Sequence, residues 1–131
     1  MMLKFFKRAC FFGDVPNPES KHIVVVVSDV IDGKAVVVPL SSVKYKSDGT
    51  SKYYDKACVF EAGTFLDKDK NFSLNKKSFV RYEWAVEVDL NKIEKNGFKF
   101  KCIIVSELFE EIIKGAKISA ELEPRFLKFF K

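Results

Sequence analysis

Apolar positions fall in short β-branched and aromatic runs, divided by polar segments rich in turn formers. The run His22-Ile-Val-Val-Val-Val-Ser28 leaves no polar face, which predicts a central strand covered on both sides. Asp32-Gly33 follows, and then Lys34-Ala-Val-Val-Val-Pro-Leu40. An Asp-Gly pair between two such runs predicts a tight hairpin, because a type I′ turn needs positive φ at both central residues. Pro39 lacks an N–H, so it is expected at a strand end or an edge position. Further strands are read at 57–61, at 78–88, where the pattern broadly alternates after Phe79, and at 98–105, after a turn at Asn96-Gly97. Residues 1–12 read either as a first strand of the sheet or as a short amphipathic helix.

Three polar stretches separate these runs. Residues 14–21 form a loop with Pro16 and Pro18, and residues 67–77 a charged one. Residues 41–56 form the longest, with its tip at 47–51. It carries Lys44, Lys46, Lys52 and Lys56, interleaved with Tyr45, Tyr53 and Tyr54. The period becomes helical after residue 105. Ser106 has the chemistry of an N-cap. Leu108, Phe109, Ile112 and Ile113 share one stripe of a helix over 107–114, and Gly115 stands where a glycine stops a helix. Residues 123–130 read as a last helix with Pro124 at its first position. The pattern as a whole predicts a mainly β protein with C-terminal helices, in one domain spanning 1–131.

Composition adds bounds. A chain of 131 residues suits one domain, and 47% apolar with fourteen Phe is ample for a core. The net charge is +5, with twenty Lys against three Arg, a balance that favours encounter with an anionic partner. Cys10, Cys58 and Cys102 are odd in number and show no CxxC spacing. They are expected as small apolar packers in a reducing cytoplasmic setting. Lys4, Lys7 and Arg8 interrupt any signal-peptide core, and no apolar run reaches membrane-spanning length. The expected localisation is cytoplasmic, with no membrane partner.

The chemistry must come from hydroxyls and cations. A single His excludes a His-based metal cluster, and no P-loop, GxGxxG or GxSxG occurs. No cofactor and no metal are expected. The tight hairpin brings the start of the 22–28 strand near the end of the 34–40 strand. Lys21 and His22 should therefore lie close to Ser41 and Ser42. A cation, an imidazole and two hydroxyls could bind a phosphodiester and stabilise its transition state. RNA supplies its own 2′-OH nucleophile. A structural His and a Ser-Ser turn are the plainer alternatives. Arg81 faces solvent, pairs with Glu83 or Glu87, or offers its fork to phosphate. Lys76 and Lys77 extend a basic strip or are ordinary loop residues. The three tyrosines stack on unpaired bases or simply pack.

The order of segments resembles the MazF/PemK-like proteins of toxin–antitoxin systems, in a divergent form. The matching stretches are His22–Ser28 followed by Val36-Val-Val-Pro-Leu-Ser-Ser42, then Cys58-Val-Phe-Glu-Ala-Gly63, Ser78-Phe-Val-Arg-Tyr82, and residues 106–119. The resemblance implies an SH3-like antiparallel barrel over about 7–105, closed by helices at about 106–130. It also implies frequent homodimers and metal-independent cleavage of single-stranded RNA, with an acidic antitoxin protein as partner. Carried over by position, His22 stands where the family has an Arg, and Ser41 or Ser42 where it has a Ser or Thr. Lys21, His22, Ser41 and Ser42 are thus the catalytic candidates. Lys44, Tyr45, Lys46, Lys76, Lys77 and Arg81 are the RNA-binding ones. The family's catalytic Arg has no counterpart. A non-catalytic protein- or nucleic-acid-binding module on the same barrel, such as a phage or mobile-element accessory protein, is the alternative.

Overall fold

The computed structural model describes residues 5–14 and 21–131, with the side chains of Asp14 and Lys21 excepted. The Pro-rich loop expected between them lies outside the described residues. The strands are β1 (Ala9–Asp14), β2 (Lys21–Val26), β3 (Lys34–Ser42), β4 (Val59–Phe60), β5 (Ser78–Val80), β6 (Val86–Asp89) and β7 (Lys99–Ile103). Helix α1 (Leu90–Lys95) lies between β6 and β7, and α2 (Ser106–Ile118) follows β7. A 3₁₀ turn spans Tyr82–Trp84, and a 3₁₀ segment spans Pro124–Phe129.

All strands join one antiparallel sheet in the order β4-β5-β3-β2-β1-β7, with β6 also on β3. The Asp-Gly hairpin forms as expected. Asp32 and Gly33 have φ of 53° and 72°, and Ile31 and Lys34 exchange both backbone hydrogen bonds at 2.9 and 3.0 Å. Between this tip and the paired length of β2, the Ser28 hydroxyl oxygen accepts from Val36 N–H at 2.8 Å, so a side chain supplies a partner there.

The four valines are buried on both faces, as the pattern required. Val25 and Val27 join Cys10, Val36, Val38 and Leu40 on one face, under Phe109, Ile112, Ala116, Phe126 and Phe130 from the C-terminal elements. Val24 and Val26 join Ala9, Phe11, Ala35 and Val37 on the other, under Ile93 of α1 and half-buried Trp84, Phe98 and Phe100. At roughly 25 cal/mol per Å² of apolar surface removed from water, this two-sided burial dominates the stability of the fold.

One expectation of the architecture is corrected. The expected SH3-like barrel does not close: β4 and β7 end the sheet without pairing to each other. β4 is only two residues long, Val59–Phe60, and offers too short a ladder to close on β7. The 61–74 segment only approaches the open edge, through an Asp67–Ile104 bridge and a Val105 N–H to Leu66 carbonyl bond of 2.8 Å.

Three local expectations also change. The single strand read at 78–88 is broken, because β3 is shared: its end pairs with β5 and its start with β6. The 3₁₀ turn carries the chain from one partner to the other, and Pro39 falls in the gap between them, where no ladder donor is needed. Helix α1 was not expected; Asp89 caps it by accepting from Lys92 N–H at 2.7 Å. Gly115 does not end α2, which runs on to Ile118, and the cap position is Val105 rather than Ser106. Gly115 is instead a point of close approach. A Cβ there would collide with the Tyr82 hydroxyl and lie 2.9 Å from Cys58 Cβ. That hydroxyl donates to the Ile112 carbonyl at 2.6 Å.

Candidate functional site

β2 and β3 leave the dry centre of the sheet together, and polar residues replace valine. His22 lies one step beyond the Ile23–Leu40 pair, opposite Ser41. Its Nδ1 is 3.2 Å from the Leu40 carbonyl oxygen and 3.5 Å from Ser41 Oγ. A carbonyl only accepts, so Nδ1–H is the donor in the contact with Leu40. Ser41 is buried, Ser42 is half-buried, and Lys44 Nζ donates to Ser42 Oγ at 3.4 Å.

These groups open onto a cleft of 420 Å³ whose walls come from distant parts of the chain. Arg81 enters from the end of β5. Its guanidinium lies 3.5 Å from the centroid of the Trp84 ring, and its Nε donates to Glu83 Oε1 at 2.8 Å. The edge of the Trp84 ring pair is completed by His22, at 5.8 Å between centroids in a T-shaped arrangement. Tyr54 packs against Phe79 at 5.4 Å. Tyr53 is highly exposed at the rim and donates to Glu121 Oε1 at 3.0 Å. That hydrogen bond and the charge behind it hold the Tyr53 phenol above its ordinary pKa.

The cleft is electrostatically mixed. Lys44, Lys52 and Arg81 face Asp55, Glu83 and Glu121. Asp55 is occupied structurally: its carboxylate accepts from Ala57 N–H at 2.9 Å and from the Ser119 hydroxyl at 2.5 Å. The last contact ties the loop to the end of α2.

The structure thus brings together His22, Ser41, Ser42, Lys44 and Arg81. Lys21 is in β2 beside them, but its side chain lies outside the described residues. Lys76 lines a second groove of 360 Å³ that shares His22, Ser42 and Lys44 with the first. Lys77 is drawn to Glu61, at 3.9 Å, whose charge raises the pKa of its ammonium. Tyr45 and Lys46 are exposed on the turn beyond, where Tyr45 bridges Ser51, and neither lines the cleft. Of the alternatives read for Arg81, the pairing with Glu83 is the one formed; sequence reasoning missed Trp84, Asp55 and Glu121. The break in alternation around the lone Trp was the available signal for Trp84; nothing local marks Glu121, which arrives from beyond α2.

The three cysteines are buried free thiols, as expected of small packing residues. Burial pushes the Cys58 thiol up to about 12. Among the described residues no group of three or more His, Cys, Asp or Glu is arranged to hold a metal ion. Nor is any helix among them long and apolar enough to cross a membrane.

No protein-family model, curated protein or solved structure matches this chain. The likeness to MazF/PemK-like proteins therefore rests on the sequence segments alone.

Proposed function

We propose that this cleft binds single-stranded RNA. The observation that carries the reading is the Arg81–Trp84 contact in one cleft with His22 and Ser41. A guanidinium 3.5 Å from the centroid of an indole ring offers cationic and aromatic surface together with phosphate donors. Tyr53 and Tyr54 add aromatic surface, and Lys44 and Lys52 add positive charge. Unpaired bases stack on such surfaces, while a duplex cannot splay its bases into a cleft of this size. In keeping with the sequence resemblance, the role is toxin-like, with an acidic protein partner as its natural inhibitor.

A second reading, metal-independent scission of the bound strand, is favoured by the meeting of His22 and Ser41 in one cleft with Arg81 and Lys44. In this reading the His22 imidazole takes the proton from a ribose 2′-OH. The 2′ oxygen then bonds to phosphorus as the 5′ oxygen leaves, and Arg81 and Lys44 offset the charge that develops.

The test is fluorescence anisotropy with labelled single-stranded RNA in EDTA, followed by electrophoresis of the same samples. Wild type binds, with affinity that falls steeply as salt rises, and Arg81→Ala binds about tenfold more weakly. Absence of binding to any strand sinks the proposal. Intact RNA after prolonged incubation removes the second reading and leaves the first.

A further inference from the structure

Carboxylates are out of place in a site that takes only a sugar–phosphate chain, because each one repels the ligand. Asp55 is accounted for by its two structural hydrogen bonds. Glu83 and Glu121 are not. Each uses one oxygen on a neighbour, Arg81 Nε and the Tyr53 hydroxyl respectively. Their second oxygens have no hydrogen-bond partner among the described residues. The part of RNA that welcomes a carboxylate is an N–H-bearing base edge.

We propose that Glu83 reads guanine, an inference that rests on the cleft being an RNA site. Glu83 flanks the stacking plane: Arg81 lies on Trp84, and the Glu83 carboxylate is bonded to Arg81 itself. A base that enters the cleft beside the Arg81–Trp84 pair, edge toward Glu83, meets this carboxylate. Among the four RNA bases only guanine offers two adjacent donors on its pairing edge, N1–H and the N2 amino group. These match the two oxygens of a carboxylate, each of which keeps a free lone pair when it accepts once. Uracil presents one N–H between two carbonyls, which the carboxylate repels. Adenine and cytosine present an amino group beside an acceptor. A site whose polar groups are left unpaired by the wrong ligand discriminates strongly. Glu121 is engaged with the exposed Tyr53 and is not bonded to the Arg81–Trp84 pair, so it serves the rim rather than the base edge.

The experiment is anisotropy with 2′-fluoro oligouridines, which resist 2′-OH-dependent scission, carrying a central guanosine, inosine or uridine. Wild type binds the guanosine strand about tenfold tighter than the uridine strand. Inosine, which lacks the N2 amino group, falls between them. Glu83→Gln loses the preference without losing uridine-strand affinity, while Glu121→Gln keeps it. Equal affinity for all three strands overturns this inference and leaves RNA binding standing. Retention of the guanosine preference by Glu83→Gln overturns it as well. Failure to bind any strand overturns both.

Discussion

The β2–β3 pair contains two contrasting regions a few residues apart. Its centre is a valine ladder sealed on both faces, and its end is the polar cleft around His22 and Ser41. The centre is built by neighbours in register, and any apolar residue of similar volume would serve. The end is built by side chains from five separate stretches of chain, where residue type decides the chemistry. The strands that position the cleft therefore owe their rigidity to residues that never touch it. A site on paired strands is held more closely than one on a loop.

The first way to break this contrast is to hollow the centre. Phe11 is fully buried and meets Phe100 edge-on at 5.8 Å between centroids. Phe11→Ala should cost about 3–5 kcal/mol in urea unfolding and, if the protein stays folded, leave the cleft's ligand preference unchanged. A loss of preference at unchanged stability would show that the two regions are not separable in this way.

Gly115 gives a test of opposite signs. Helix propensity alone favours Gly115→Ala by roughly 1 kcal/mol. The contacts with Tyr82, Cys58 and the Ala57 carbonyl oppose it, and overpacking of this kind costs about 1–3 kcal/mol. The substitution should therefore lower the thermal midpoint. A rise would mean that α2 can shift away from Tyr82 without loss.

At the cleft the balance reverses. Arg81 is partly exposed, with one ion pair and two ring contacts, to Trp84 and Phe79, so Arg81→Ala should cost only about 1–2 kcal/mol of stability while lowering RNA affinity. Large destabilisation with intact binding would move Arg81 from the site to the scaffold.

The smallest effect sharpens the contrast from a third place, the loop beside the open sheet edge. The Asp67 carboxylate accepts from Phe72 and Asn71 N–H groups, and the Phe72 bond leads in holding its pKa below the usual carboxylate range. A lowered pKa in the folded state means the contribution is present above the ordinary value. It is lost as pH falls below about 4. Asp67→Asn should be less stable than wild type at neutral pH and converge with it in acid. Parallel unfolding curves across that range would refute the assignment.

Much of the fold was legible because it is local. Four valines in a row state a strand covered twice, and Asp32-Gly33 states a turn, since both follow from backbone sterics and side-chain period. The same turn put His22 beside Ser41, so the kernel of the cleft could be read from register alone. The break at Tyr82–Trp84 could not, because it arises from β3 having two partners on one edge. Nor could the role of Gly115, which depends on a tyrosine brought against it from the middle of the chain.

Strand positions, the hairpin and the His22–Ser41 meeting are consequences of short-range sterics and alternation, which the amino-acid order carries by itself. Whether the sheet closed, and which residues would wall the cleft, depended on contacts between distant segments such as Tyr53 and Glu121, 68 residues apart. Those pairings are chosen by how the covered faces pack, and packing is a property of the assembled molecule rather than of any stretch of its chain.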